Sequence, residues 1–188
     1  MKTFSKLILT TFSLVLLSAC STGGTNAPTA AIGNAGAPVM IQEFSDFQCP
    51  ACGTVSPEME SIARANLDKV RLEFHHFPLS QHENAFRAAI ASECANLQGK
   101  FCEYGKLAFE NQSNLTEDKL KEMAQTIDLD TASFNKCLDG NQTSSRVRDD
   151  LKLGSDLGVS YTPSFFVNGK LIQFTGREEF EGYLKTLK

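Results

Sequence analysis

The feature that most constrains this chain is Cys49-Pro50-Ala51-Cys52, set between an apolar, β-prone run, Val39 to Phe44, and a helical pattern. In that pattern Val55, Met59, Ile62 and Ala63 recur from Thr54 onward. Apolar run, turn and periodic segment in that order predict strand, turn, helix. Val70 to Phe77 alternates and is closed by Pro78, which predicts a second strand reached through a right-handed crossover, parallel to the first.

The middle of the chain reads as helical. Ala85 to Cys94 is Ala-rich, and Phe101, Tyr104 and Ala108 mark a second segment. Leu115 and Leu120 flank Thr116 as a hydrophobic staple around an N-cap, and Leu120, Met123, Ala124 and Ile127 form one stripe. Leu129, Asp130 and Phe134 repeat the device. A last inserted helix runs from Ser144 to Leu157, with Val147 and Leu151 inward and Gly158 as its cap. Ser164 to Val167 and Leu171 to Phe174 then flank Asn168-Gly169, a two-residue hairpin turn, and Phe180, Tyr183, Leu184 and Leu187 predict a final amphipathic helix. The class is α/β: βαβ plus ββα, with an all-helical insertion at about 84–157.

Residues 1–19 read as a bacterial export signal. Lys2 and Lys6 precede an apolar stretch, Leu7 to Leu17, that is short for a permanent span. Leu17-Ser18-Ala19-Cys20 resembles the lipobox of bacterial lipoproteins, which makes Cys20 the expected lipidated N-terminus. A plain secretory signal followed by an incidental cysteine is the alternative. Residues 20–37 are small and uncharged and predict a flexible tether, leaving 38–188 as one domain. Without 1–19 the chain carries 16 Lys and Arg against 22 Asp and Glu, a net charge of −6, and shows no basic face for nucleic acid. Six cysteines in an exported chain fit an oxidising compartment; setting Cys20 aside leaves an odd number.

Two cysteines three residues apart at a helix start can close a disulfide. The helix N-terminus favours the thiolate of Cys49, which makes it the attacking sulfur and Cys52 the resolving one. Pro50 costs no hydrogen bond at an early helical position. A plain stabilising disulfide and half of a metal site are the alternatives. His75, His76 and His82 offer no zinc spacing with the cysteine pair, so no metal is expected.

The run of βα with C-P-x-C, helical insert, then Thr162-Pro163 before a hairpin resembles the DsbA-like branch of the thioredoxin superfamily over residues 38–188. The resemblance implies that Pro163 is cis and that the Thr162-Pro163 loop faces the disulfide and receives substrate as an added strand. It implies that Glu43, six residues before Cys49, is an acid buried behind the disulfide that moves protons to or from Cys52; burial would raise its pKa. A solvent-facing edge glutamate is the alternative, and Asp46 reads as a turn former. Cys94 and Cys137 match positions of a structural disulfide in relatives, with pairing to Cys102 as the rival connectivity. Cys102 stands where relatives often have an aromatic residue, which implies a buried filler with a free thiol. His82 resembles the histidine of the family's F-P-L-x-x-H stretch, here Phe77 to His82, and the resemblance implies that it orders this loop.

The dipeptide Pro50-Ala51 tunes redox potential. The strongest oxidants of the family carry a histidine at its second position, and Ala51 supplies neither its charge nor its hydrogen bond, which implies an intermediate poise. The expectation is a monomeric thiol:disulfide oxidoreductase of the cell envelope, needing no cofactor beyond the Cys49/Cys52 disulfide. It would donate disulfides to reduced or unfolded exported proteins, anchored by lipid, and be reoxidised by a quinone-linked membrane partner of the DsbB type. Related isomerases dimerise through an additional N-terminal domain, and only the tether precedes the first strand. The alternatives are a reductase or isomerase for specific envelope clients, and a non-catalytic thioredoxin-like lipoprotein that binds peptide or metal.

Overall fold

The computed structural model describes residues 20–22, 30–174 and 177–186; the expected signal at 1–19 lies outside them. The elements are β1 (Cys20–Thr22), β2 (Ala30–Ile32), β3 (Val39–Ser45), α1 (Pro50–Ala65), β4 (Val70–His76), α2 (Ala85–Asn96), α3 (Phe101–Glu110), α4 (Glu117–Thr126), α5 (Thr131–Asp139), α6 (Ser144–Asp156), β5 (Ser164–Val167), β6 (Lys170–Ile172) and α7 (Arg177–Thr186). They form one sheet in the order β1-β2-β4-β3-β5-β6. Only β3 and β4 are parallel, as a crossover through α1 requires; every other pair is antiparallel.

The local signals act where they stand. Asn168 and Gly169 take φ of 48° and 77°, the paired left-handed geometry that closes β5 onto β6 across a two-residue loop. Asp130 caps α5 by accepting from the backbone N–H of Ala132 and Ser133. Thr116 does cap α4 by position, although its hydroxyl makes no capping bond. The second hairpin strand ends at Ile172, and Phe174, expected within it, turns inward to pack its ring 4.8 Å from that of Phe180.

Two parts of the expected tether at 20–37 are strands. Ala30–Ile32 is buried and pairs with β4, and Cys20–Thr22 pairs with Ala30–Ile32. Small, uncharged residues suit a linker by composition. Here they also suit a strand paired on both sides, and Ala30, Ala31 and Ile32 are buried.

Three apolar clusters result. One lies between the sheet, α1 and α7, built on Ile41, Met59, Ile62, Phe165 and Phe180; the second lies inside the insertion, around Tyr104, Leu120, Phe134 and Val147; the third, Phe44, Phe77, Val159 and Phe166, lies where α6 meets the sheet. Gly154 approaches so closely that a Cβ there would stand 2.6 Å from the Phe77 ring and 3.0 Å from that of Phe44. Asp150 of α6 also accepts the His76 N–H at 2.9 Å and lies 2.9 Å from His75 Nδ1, and His76 Nε2 lies 3.2 Å from Glu93 of α2. Buried polar groups so paired pin the insertion in one register on β4.

Cys94 of α2 is bonded to Cys137 of α5, Cα–Cα 5.8 Å, which closes the alternative of a bond to Cys102. Cys102 is nevertheless disulfide-bonded and only half-buried, so it is not the sealed free thiol expected of a core filler. The Cys94–Cys137 bridge spans 43 residues, and constraining a loop of that length in the unfolded chain is worth about 4 kcal/mol. The double variant Cys94→Ala/Cys137→Ala is expected to melt about 10 °C lower than the parent in thermal unfolding followed by circular dichroism. An unchanged midpoint would contradict a stabilising role for the bridge.

Candidate active site

The site begins where β3 ends. Cys49 is the N-cap residue of α1 in an extended conformation (φ −76°, ψ 119°), Pro50 occupies the first turn, and no acidic side chain lies in that turn. The positive end of the helix is therefore left for the sulfur. The loop before it is held on every side. Asp46 accepts from the N–H of Gln48 at 2.7 Å and of Leu79 at 2.8 Å, and lies 2.7 Å from His82 Nδ1. Gln112, just after α3, donates through Nε2 to the carbonyls of Phe47 at 2.9 Å and Cys49 at 2.7 Å. This contact leaves room only for glycine beside it: a Cβ on Gly53 would stand 2.2 Å from Gln112 Oε1. The Phe47 ring packs 5.6 Å from Phe74 and 4.9 Å from Phe109.

The two thiols are made unequal. The hydrogen bond from Cys52 draws the Cys49 pKa down to about 5; Thr162 and the N–H groups of Cys52 and Ala51 assist, and burial opposes. Burial, and then the Cys49 sulfur itself, push Cys52 far above the ordinary thiol range. As a thiol, Cys49 donates to the Thr162 carbonyl at 3.2 Å. A thiolate would be repelled there. The Thr162 hydroxyl, buried and without a partner among the described residues, is the group on that residue that can favour the anion.

The Thr162-Pro163 peptide bond is cis, and its loop faces Cys49. Behind the cysteines, Glu43 of β3 is buried, not at a solvent edge, and burial raises its pKa to about 7 against the lowering effect of the Ser56 and Ser45 hydroxyls. Ser56 donates to Glu43 Oε1, and Ser45 Oγ and Ser56 Oγ are 3.1 Å apart. Cys49, Pro50, Ala51, Cys52, Glu43, Thr162 and Pro163 thus gather at one place, while Cys94 and Cys137 lie apart in the insertion. The side chain of Cys20 lies outside the described residues. Sequence reading missed Ser45, Ser56 and Gln112. The serines were findable as hydroxyls on the faces that carry Glu43 in the strand and Cys52 in the helix; Gln112 has no local signal, since its partners are more than sixty residues away.

A thiolate-prone sulfur paired with a buried thiol, next to a cis-proline loop, is an arrangement that can exchange disulfides. The family model described as Thioredoxin matches residues 25–187. A stretch of 141 residues is 35% identical to part of the Na(+)/H(+) antiporter NhaA 1 of Mycobacterium sp. (strain KMS), covering 73% of this chain and 23% of the antiporter. A stretch of 135 residues is 36% identical to NhaA 3 of Salinispora tropica, covering 71% and 21%. The chain therefore spans under a quarter of the length of these relatives, and what is shared is its thioredoxin-like unit. Among solved structures, a thioredoxin-like oxidoreductase from Silicibacter pomeroyi DSS-3 superposes with a TM-score of 0.74 at 25% identity, over 87% of this chain and 92% of that one. BdbD from Bacillus subtilis (0.71, 24%, covering 83% and 90%) and DsbA from Chlamydia trachomatis (0.72, 20%, covering 88% and 93%) share the fold, helical insertion included. The chain belongs to the thioredoxin family.

Proposed function

We propose that this protein donates its Cys49–Cys52 disulfide to reduced exported proteins in the bacterial cell envelope. The observation that carries the reading is the inequality of the two sulfurs: a thiolate held near pH 5 at Cys49 stabilises the dithiol form, which makes the disulfide oxidising. A client thiolate attacks Cys49 Sγ, the Cys49–Cys52 bond breaks, and Cys52 leaves and takes up a proton. A second client thiolate attacks the client sulfur of the mixed disulfide, and Cys49 leaves as its stable anion. Two client thiols become one disulfide and the enzyme becomes a dithiol. Glu43 is the proton carrier, and Thr162-Pro163 receives the client backbone. No cofactor or metal enters these steps. A quinone-linked membrane partner of the DsbB type restores the disulfide, and the working form is a monomer.

The proposal keeps the lipid anchor at Cys20 and so a position at the membrane; membrane antiporters that contain a related stretch support such a location. Because Cys20 opens an edge strand of the sheet, the domain would sit against the membrane and not on a long leash. The thioether at Cys20 is one bond to establish, and the disulfide of Cys102 is another. Non-reducing peptide mapping of the mature protein reads both bonds at once.

Three outcomes are expected. Equilibration of Cys49/Cys52 with glutathione buffers should give a potential above about −230 mV; a lower value overturns the donor reading in favour of a reductase. Alkylation of Cys49 in the reduced protein should stay fast down to about pH 5 and fall roughly tenfold per pH unit below it, following its thiolate. Glu43 is the third. A carboxyl with a pKa near 7 when folded and near 4.5 when unfolded binds its proton more tightly in the folded state, so its presence costs stability as pH rises from 4.5 through 7. Glu43→Gln should therefore be more stable than the parent at pH 8 by on the order of 2–3 kcal/mol, with the difference vanishing at pH 4.5, in urea unfolding.

A further inference from the structure

Cys52 leaves as a poor anion at a place no water reaches, since its side chain is fully buried. Its proton must come through the protein. A strand places every second residue on one face and a helix every fourth, so Glu43 and Ser45 of β3 share the face opposite Cys52 and Ser56 of α1. All four are buried: 1% exposed for Glu43 and Ser45, 5% for Ser56 and 0% for Cys52. Ser45 and Ser56 are 3.1 Å apart with either able to donate, Ser56 donates to Glu43, and the Ser45 hydroxyl favours the anion of Cys52. A serine hydroxyl both gives and accepts a hydrogen bond, so such a chain passes a proton without charging its members.

We propose that Ser45 and Ser56 form a two-hydroxyl proton relay between the Cys52 sulfur and the Glu43 carboxyl, which exchanges with solvent through a cavity beside α1 and α3. The inference rests on the exchange chemistry proposed above. As Cys52 leaves, Ser45 gives its proton to Sγ, Ser56 gives its own to Ser45, and Glu43 gives its own to Ser56 and becomes the carboxylate. When Cys52 later attacks, each proton moves one place back. Ser45 stands at the sulfur end of this relay, and Ser56 acts through it. The cavity, of about 700 Å³, is lined by Glu43 and Ser56 together with apolar walls such as Phe47 and Phe74. The charged groups on it are Glu60 and Arg64 from α1 and Glu103, Lys106 and Glu110 from α3, of which Glu60 raises the Glu43 pKa. The residues registered with Glu43 on β4 and β5, Phe74 and Phe165, carry no charge.

The test is single turnover of the oxidised full-length mature protein with a reduced peptide, acid-quenched and read by mass spectrometry across pH. Mixed-disulfide formation in the parent should show an alkaline limb setting in near pH 7, as Glu43 loses the proton it supplies. In Ser45→Ala and in Ser56→Ala the rate at pH 7 should fall at least about tenfold, within what a positioned proton donor contributes, and the limb should vanish. Ser56→Thr, which keeps the hydroxyl, should restore both. The double variant Ser56→Ala/Glu43→Gln should be no slower than either single one, because the members act as a unit. The unmodified protein supplies a readout free of folding effects: its rate in mixtures of H₂O and D₂O should curve downward, with several protons in flight. A linear dependence overturns the relay, as does a serine variant that keeps the parent's rate and limb while Glu43→Gln loses them. Failure of the relay leaves Cys49-dependent exchange in place. Exchange that survives Cys49→Ser instead overturns the proposed function, and the relay with it.

Discussion

A sulfur anion at the start of α1 is favoured by the Cys52 thiol and, beside it, by the first N–H groups of that helix, and nearly every contact around the site holds that helix start in place. Asp46 fixes the turn ahead of Cys49 by accepting backbone N–H groups from both Gln48 and Leu79. Gln112 holds the carbonyls of Phe47 and Cys49 from the far side. With no acidic residue in the first turn, the dipole is not spent on a neighbouring carboxylate. The cost of misplacing these N–H groups falls on the thiolate, and therefore on the potential of the pair, before it falls on stability.

The helical insertion is best understood as part of this arrangement and not as an ornament on a thioredoxin core. It supplies Gln112, the N–H of Asn84 that binds Gln48, and the Phe109 ring against Phe47. It is in turn anchored by Asp150 to β4 and braced internally by the Cys94–Cys137 bridge. The chain from disulfide to thiolate is continuous: a braced insertion holds a loop, the loop holds a helix start, and the helix start holds a charge.

Much of this could be read from the sequence because it is local. Apolar periodicity marked β3, α1, β4 and the final helix; Asn168-Gly169 marked a hairpin; Asp130 and Thr116 marked helix starts. The motif and its setting identified the paired sulfurs and, through the family's pattern, Glu43 and the cis Pro163. What failed was non-local or compositional. Ala30–Ile32 has the makeup of a linker, and only β4, some forty residues on, makes it a strand. Cys102 was read from what usually stands there and not from the bond it makes. Ser45 and Ser56 were visible as residues, but their meeting depends on how β3 and α1 are rotated against each other, which no local pattern encodes.

Glu43 shows what the site asks of the fold. A carboxyl in the middle of a sheet, between Phe74 and Phe165, is costly to ionise, and an apolar residue there would stabilise the molecule. The two serines offset part of that cost by bonding to the carboxylate, enough to bring the group to a pKa where it can both hold and release a proton at neutral pH. A group balanced in this way would, in the proposed relay, serve departure and attack of Cys52 alike and favour neither direction of exchange. In the proposed function, a preference for giving a disulfide over taking one would then come from elsewhere in the site, from the thiolate of Cys49 at the start of α1.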